Sequence, residues 1–253
     1  MKPDQSGFAD HFSGIAGEYA RFRPRYPQAL FAYLASRSPA RDRAWDCATG
    51  SGQAALALTR HFTQVVATDA SAEQIASAGT HPRIDYRVAP AECSGLETAS
   101  VDLITVAQAL HWFDRSRFYA EAGRVLRPGG VLAVWCYGLI RLGDRSAQAL
   151  FERFHDAVER YWPPERALIE TGYRNLDFPF VEWTPPAFAM TADWTRDELL
   201  GYLRTWSAVQ RYQESQGIDP VAGLARELAT VWPDPQQHRT LTWPLALRCG
   251  IAT

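Results

Sequence analysis

Two carboxylates and a pair of glycines form the first group of residues whose spacing could do chemistry. Asp46 ends a short apolar run, Gly50 and Gly52 follow in a tight loop, and Asp69 ends the next apolar run. Glycine lets the backbone approach a ligand closely and adopt positive φ. A carboxylate roughly 20 residues further on can accept hydrogen bonds from two ribose hydroxyls. The segment therefore predicts a site for an adenosine-type cofactor.

A second group lies in residues 107–114, AQALHWFD, directly after another apolar run. His111 could act as a general base, and Trp112 could present its aromatic face to a cation. Each residue also has a purely structural interpretation. His111 could be a core histidine or one that only orients a ligand, and Trp112 could pack between the sheet and its cap.

Alternating strands and helices must position these residues. We predict strands at 43–48, 64–69, 83–88, 101–107 and 130–137, with intervening helices at 52–61, 71–78 and 115–126. This alternation predicts an α/β fold with a parallel sheet and helices on both faces. Open sheets of this kind bind ligands beyond the carboxyl ends of their strands. The loops after residues 46, 69, 89 and 107 should therefore share one rim.

The flanking segments predict a cap over that rim. Residues 8–37 indicate two helices hinged at RFRPRYP, because proline interrupts helices. Beyond residue 138 we predict helices at 145–161, 195–214 and 219–231 and strands at 184–191 and 239–249, in an aromatic-rich stretch. A length of 253 residues favours one domain, 1–253. We expect its cofactor-binding core at 38–137, with 138–253 supplying cap segments and the last two strands.

Composition excludes several classes of protein. The sole lysine is Lys2, so the chain has no Walker A Gly-Lys pair, no interior lysine for a Schiff base and no Tyr-x-x-x-Lys dyad. The four cysteines lack metal-ligand or disulfide spacing, so we expect no metal site. A net charge of −2 gives no general attraction to nucleic acid or anionic lipid. Without a predicted membrane span or signal peptide, we expect a cytoplasmic monomer or homodimer.

The glycine loop alone leaves the cofactor open. Gly50, Gly52 and Ala55 satisfy the loose GxGxxG/A pattern of NAD(P)-binding folds. Asp46 argues against that interpretation, because a carboxylate at this position suits a ligand with a cationic group better than a pyrophosphate. An NAD(P)-dependent oxidoreductase therefore remains the alternative, with a catalytically silent cofactor-binding protein as a third hypothesis.

Five ordered motifs resemble those of class I S-adenosylmethionine-dependent methyltransferases over roughly residues 8–137. The first family motif is (D/E)-x-G-x-G-x-G, which Asp46, Gly50 and Gly52 match while Ala48 replaces the first glycine. The other matches are Asp69, Ala91 with Glu92, residues 100–105 (SVDLIT) and residues 124–130 (RVLRPGG). Residues 19–27 (YARFRPRYP) and 107–114 are further similar to small-molecule methyltransferases of type 11, in the trans-aconitate-methyltransferase-like branch.

This resemblance implies a Rossmann-like methyltransferase sheet of seven strands, the last one antiparallel, with helices on both faces and a helical cap. It implies S-adenosylmethionine as cofactor, held by Tyr19, Arg23, Asp46, Ala48, Gly50, Gly52, Asp69, Ala91, Glu92 and Gln108. The methyl acceptor, a small organic molecule, would contact His111, Trp112, Tyr137 and Trp206, with His111 as the catalytic residue. Trp206 recurs with Tyr202 at helical spacing, which is also typical of packing.

The resemblance implies O-methylation as the reaction. A carboxylate acceptor is already nucleophilic at pH 7 and requires no base, whereas a hydroxyl acceptor would make His111 the best candidate base.

Overall fold

The computed structural model describes residues 24–252. Its strands are β1 (Arg43–Cys47), β2 (Gln64–Asp69), β3 (Ile84–Val88), β4 (Val101–Ala107), β5 (Leu126–Tyr137), β6 (Val181–Trp183), β7 (Phe188–Trp194) and β8 (Arg239–Ile251). Its helices are α1 (Gln28–Arg37), α2 (Gln53–Leu58), α3 (Ala72–Ser77), α4 (Arg115–Val125), α5 (Arg145–Val158), α6 (Arg166–Glu170), α7 (Arg196–Arg204), α8 (Ser207–Gln216) and α9 (Pro220–Val231). Short 3₁₀ turns occur at Leu110–Trp112 and Glu159–Tyr161.

The strands form one mixed sheet in the order β3-β2-β1-β4-β5-β8-β6, with β7 also paired to β8. Strands β1 to β5 are mutually parallel. Strand β8 runs antiparallel to β5 on one side and to β6 and β7 on the other. The predicted Rossmann-like sheet with an antiparallel last strand is therefore confirmed.

The predicted number of strands was wrong, because the sheet formed by residues 24–252 has eight strands and not seven. The strand expected at 184–191 corresponds to β7, which begins later, at Phe188, and β6 precedes that range as an additional strand. Pro185 and Pro186 lie between them, and proline cannot donate a hydrogen bond to a strand ladder.

Two predicted helices are also divided. The helix expected at 195–214 is α7 followed by α8, because Trp206 has an extended backbone with ψ of 130°. Helix α7 begins after Thr195 with a capping box, in which the side chains of Thr195 and Glu198 each accept the backbone N–H of the other residue. The helix expected at 145–161 ends as α-helix at Val158 and continues as a 3₁₀ turn.

Apolar side chains fill both faces of the sheet, as expected for parallel strands covered on both sides. One face packs against α1, α2 and the cap through Leu30, Phe31 and Trp206. The other packs against α4 and the segment after α6 through Phe118 and Tyr173. The cap therefore shares a continuous core with the first of these faces.

The amino-terminal edge of the sheet is held by a buried carboxylate. Asp102 accepts hydrogen bonds from the backbone N–H groups of Asp42 and Arg43 at 2.9 and 3.0 Å. It also pairs with Arg127 at 2.8 Å. This part of the motif at 100–105 is therefore structural and lies at the edge opposite the carboxyl-terminal rim.

Within residues 24–252, no helix is both long and apolar enough to cross a membrane. The same residues contain no group of three or more His, Cys, Asp or Glu side chains placed to hold a metal ion.

Candidate active site

The loop between β1 and α2 has three residues with left-handed backbone. Ala48, Gly50 and Gly52 have φ angles of 55°, 55° and 83°. At Gly52 a Cβ would overlap the hydroxyl of Tyr86 on β3. Glycine is therefore required at this position both by its φ and by the close approach of the tyrosine, while Ala48 adopts a conformation that glycine would adopt more readily.

Asp46 is buried beneath this loop. It lies opposite Thr105 of β4 in the parallel register. Its carboxylate accepts hydrogen bonds from the hydroxyls of Thr49 at 2.6 Å and Thr105 at 2.7 Å. Burial raises the pKa of Asp46 to about 6, although the two hydroxyls oppose this shift. A cationic group nearby would favour the ionised form, as expected for this site.

Asp69 ends β2 and contacts the glycine loop directly. One carboxylate oxygen accepts the Gly50 N–H at 2.9 Å, and the other accepts the Ser71 N–H at 2.9 Å. Each carboxylate oxygen has two lone pairs, so both can accept a further hydrogen bond. The geometry therefore leaves Asp69 able to bind a diol while it holds the loop in place.

The next two predicted cofactor residues follow β3. Ala91 is buried in the core. The Glu92 carboxylate accepts the backbone N–H of Asp114 at 2.9 Å, which ties this loop to the start of α4. Glu92 is therefore already engaged with the segment that follows β4.

Gln108 follows β4 in a left-handed conformation, with φ of 58°. Its side-chain oxygen accepts the Tyr137 N–H at 2.8 Å, and its amide nitrogen donates to the Tyr137 carbonyl at 3.4 Å. The side chain thus replaces a strand pairing where β4 and β5 diverge. It holds Tyr137 at the rim, so that both predicted residues lie together.

His111 lies in the 3₁₀ turn after β4 and is buried. Its Nδ1 is 2.8 Å from the hydroxyl of Tyr173, and the two rings stack with centroids 6.1 Å apart. Burial, followed by the positive charge of Arg166, lowers the pKa of His111 to about 4. The imidazole is therefore neutral at physiological pH.

The remaining predicted substrate residues occupy different environments. Trp112 is 41% exposed and contacts the His111 ring at a centroid distance of 4.7 Å, so it does not pack in the core. Trp206 is buried in the cap, with centroids 5.2 Å from Trp162 and 6.0 Å from Phe151. Tyr202 is buried in the same cluster.

Tyr19 and Arg23 lie outside the described residues. The chain just after them is placed against the glycine loop, because the Tyr26 N–H donates to the Gln53 side chain at 3.3 Å and that side chain donates to the Pro24 carbonyl at 3.4 Å. Tyr26 also contacts Trp135 edge to face, with centroids 5.3 Å apart. Residues 24–26 therefore approach the first turn of α2.

Two residues at this rim were not predicted from the sequence. Tyr173 orients His111, and Arg166 lies over the Trp162 ring at 3.9 Å. Both belong to the irregular segment between α5 and β6, where no periodic pattern indicates which side chains point inward. Arg166 is also one of 25 arginines and has no distinguishing neighbour in the sequence.

The residues present fit an adenosine-type cofactor with a cationic part. The positive-φ loop, Asp46 and Asp69 lie together at the carboxyl ends of β1 and β2, and Gln108 and His111 follow the neighbouring strand. Asp69 retains acceptor capacity for ribose hydroxyls, and Asp46 supplies a negative charge beneath the loop.

Comparisons with known proteins agree with this geometry. A family described as a methyltransferase domain matches residues 45–134. A Dictyostelium discoideum protein named as a methyltransferase is 35% identical over 89% of this chain and 88% of its own length. A solved structure from Anaeromyxobacter dehalogenans, named as a type II methyltransferase, is 48% identical with a TM-score of 0.87, covering 91% of this chain and 98% of that one. The chain belongs to the class I S-adenosylmethionine-dependent methyltransferases.

Proposed function

We propose that this enzyme binds S-adenosylmethionine at the rim formed by the glycine loop and Asp69, and methylates an ionised oxygen of a small organic acid. The observation that carries the choice of acceptor is the neutral, hydrogen-bonded state of His111. We further propose that residues 38–137 form the cofactor-binding core, that 138–253 complete the domain, and that the protein belongs to the trans-aconitate-methyltransferase-like branch.

The cofactor would be held by the loop containing Gly50 and Gly52, with Asp69 accepting from the ribose and Asp46 favouring the cationic methionine part. When bound, S-adenosylmethionine supplies a methyl group already activated by its sulfonium. The task that remains for the protein is to align the acceptor and exclude water.

The hydrogen bond to Tyr173 determines what His111 can do. Burial raises the pKa of Tyr173, so its phenol stays protonated. Among residues 24–252, its hydroxyl has His111 Nδ1 as its hydrogen-bond partner. We infer that Tyr173 donates to Nδ1 and that the proton of the neutral imidazole is therefore on Nε2. In that tautomer His111 offers the acceptor an N–H donor and no basic nitrogen.

A donor at this position suits an acceptor that is already an anion. Carboxylic acids have pKa values near 4 and are ionised at pH 7, so no proton has to be removed from them. A hydroxyl acceptor would require a base, and a histidine with a pKa of about 4 is a weak one. The geometry therefore favours a carboxylate over an alcohol.

We predict that S-adenosylmethionine and S-adenosylhomocysteine stabilise the protein against heat and that NAD(H) and NADP(H) do not. Thermal-shift and calorimetric titrations with all four cofactors measure this. Stabilisation by a nicotinamide cofactor alone would reverse the assignment of the glycine loop.

Transfer itself is tested by incubating the enzyme with methyl-labelled S-adenosylmethionine and matched pairs of small acids and alcohols. We expect label in the acids. Label in the alcohols alone would contradict the proposed acceptor, while cofactor binding without transfer to any compound would favour a catalytically silent protein.

A further inference from the structure

Arg166 places a positive charge in the interior of the cap. It begins α6, its side chain is only 12% exposed, and its guanidinium lies 3.9 Å above the Trp162 ring. Stacking on an aromatic face favours a guanidinium, but it satisfies none of the N–H groups. Burying such a charge is costly unless it is also hydrogen-bonded.

The protein provides little compensation for this charge. The Glu170 carboxylate lies 3.9 Å from Nε, beyond hydrogen-bond distance, and is half exposed. Within the part of the chain that the structure describes, Arg166 Nε has no hydrogen-bond partner, and neither does the buried indole N–H of Trp162. Two stacked side chains therefore each retain an unused donor.

Arg248 shows how a comparable arginine is satisfied. Its side chain is 13% exposed and its guanidinium lies 4.6 Å above the Phe178 ring. In contrast to Arg166, it forms a forked pair with Glu182, with both distances 2.9 Å, and donates to two backbone carbonyls. The lack of such partners at Arg166 is therefore not a general property of buried arginines in this fold.

The charge of Arg166 reaches the candidate active site. Helix α6 packs against the 3₁₀ turn that carries His111. After burial, the positive charge of Arg166 is the cause that lowers the pKa of His111. Burial in turn lowers the pKa of Arg166. An anion bound beside Arg166 would thus lie close to His111.

We propose that Arg166 is the anion-binding residue of the acceptor site, and that its guanidinium binds a carboxylate of the molecule to be methylated. Trp162 and Trp206, whose rings are 5.2 Å apart, contact the hydrocarbon part of that molecule. Arginine suits this role because its planar fork matches the two oxygens of a carboxylate. The proposal rests on the proposed function and identifies small carboxylic acids with an apolar body as the substrate class.

The first test measures binding alone. Tryptophan fluorescence and thermal unfolding are followed during titration with benzoate, hexanoate and succinate, each compared with its amide. We expect at least one carboxylate to bind wild-type protein ten or more times as tightly as the matching amide. Equal binding of acid and amide in every pair would overturn the proposal.

The second test compares Arg166→Met, Arg166→Lys and Arg160→Met. Arg160 is the matched control, since it stacks on Tyr161 at 5.0 Å but is exposed. We expect Arg166→Met to weaken carboxylate binding 30- to 100-fold, Arg166→Lys to weaken it less, and Arg160→Met to leave it unchanged. Undiminished carboxylate binding in Arg166→Met would overturn the role of Arg166.

Stability separates a binding role from a structural one. Because Arg166→Met removes a buried, poorly paired charge, the melting temperature without ligand should stay the same or rise. A large fall would show that Arg166 supports the fold, and the comparison of acids with amides on wild-type protein would then still decide whether this site binds anions. Binding of S-adenosylhomocysteine should be equal in wild type and in all three variants. If the wild-type protein does not bind it, that result counts against the proposed function and not against the role of Arg166.

Discussion

At the scale of single residues, Asp69 holds the glycine loop and is proposed to accept hydrogen bonds from the ribose. We predict that Asp69→Ala weakens S-adenosylmethionine binding roughly 10- to 150-fold, because a hydrogen bond to a charged acceptor contributes about 1.5–3 kcal/mol. Asp69→Asn, which keeps one acceptor oxygen, should fall between Asp69→Ala and wild type. Isothermal titration calorimetry measures all three affinities.

Asp85→Ala is the matched control for this experiment. Asp85 lies on the neighbouring strand β3, has a side chain 40% exposed and pairs with Arg87. Its removal should leave the affinity unchanged. If Asp69→Ala binds as tightly as wild type, the end of β2 does not hold the ribose.

His111 is predicted to position the acceptor and not to remove a proton. Because its pKa is about 4, the wild-type rate should show no rising limb between pH 6 and 7 that depends on this residue. His111→Ala should lower turnover at every pH, while cofactor affinity stays within about threefold, or ~0.7 kcal/mol. A rising limb that disappears in His111→Ala would instead identify a general base.

Tyr173→Phe tests whether the hydrogen bond to Tyr173 sets the tautomer in which His111 positions the acceptor. Without the phenol, either nitrogen of His111 can carry the proton, so the Nε2–H donor is present only part of the time. We expect lower turnover with an unchanged affinity for the cofactor. Turnover equal to wild type would show that the orientation of His111 is set by other contacts.

The sequence predicted which of the candidate residues lie at the carboxyl ends of the parallel strands. Asp46 and Asp69 lie near the ends of two strands that are easily recognised, and the glycines follow the first of them. They meet at the rim because parallel strands share one carboxyl edge. Tyr173 and Arg166 could not be predicted in this way. Tyr173 lies 62 residues from His111 and comes from a segment without periodicity, so only the packing of the cap brings it there.

At the scale of elements, the glycine loop contains a strained backbone conformation at Ala48 that a mutation to glycine would relieve. Ala48 has φ of 55°, which costs a residue with a Cβ about 1–2 kcal/mol relative to glycine, partly offset by the greater entropy of glycine in the unfolded chain. We predict that Ala48→Gly raises the free energy of unfolding by about 0.5–1 kcal/mol. Urea unfolding measures the change.

Ala99→Gly is the control for this loop. Ala99 has a similar φ of 49° but precedes β4 at the opposite edge of the sheet. It should gain similar stability without any change in cofactor binding, whereas Ala48→Gly should change both. A loss of stability in both variants would mean that neither alanine is strained.

The boundaries of the elements show where the local sequence pattern is sufficient to predict a strand or helix. Strands β2 and β4 occupy the predicted residues because each is a mostly apolar, buried run between polar turns. The cap was less predictable. The extended Trp206 interrupts a segment whose helical pattern is continuous, so tertiary packing and not the local pattern decides where α7 ends.

At the scale of the whole molecule, Asp46 and His111 have opposite effects on stability in acid. Burial raises the pKa of Asp46 from 3.8 to about 6, so between these values the folded state binds more protons and acid stabilises it. Burial and Arg166 lower the pKa of His111 from 6.5 to about 4, so in that window the unfolded state binds more protons and acid destabilises the fold. Over the whole of its window each contribution is about 3 kcal/mol, and the two nearly cancel.

We predict that single substitutions reveal the opposing contributions of Asp46 and His111 to the pH dependence of stability. Between pH 7 and 4.5, Asp46→Asn should lose about 2–3 kcal/mol relative to wild type, and His111→Asn should gain a similar amount. Urea unfolding at four pH values in this range measures the differences. Parallel curves for wild type and both variants would show that neither group titrates differently on folding.

The position of β8 late in the chain affects the order in which the fold can form during synthesis. Strands β6 and β7 each pair with β8, yet they leave the ribosome before it, since β6 ends at Trp183 and β8 begins at Arg239. At about 5–20 residues per second the separation corresponds to roughly 3–11 s of synthesis. During that interval β5 exposes the edge that β8 will cover, while the parallel strands and the glycine loop can already assemble. The cofactor site should therefore begin to form on the nascent chain before the cap that will enclose the acceptor.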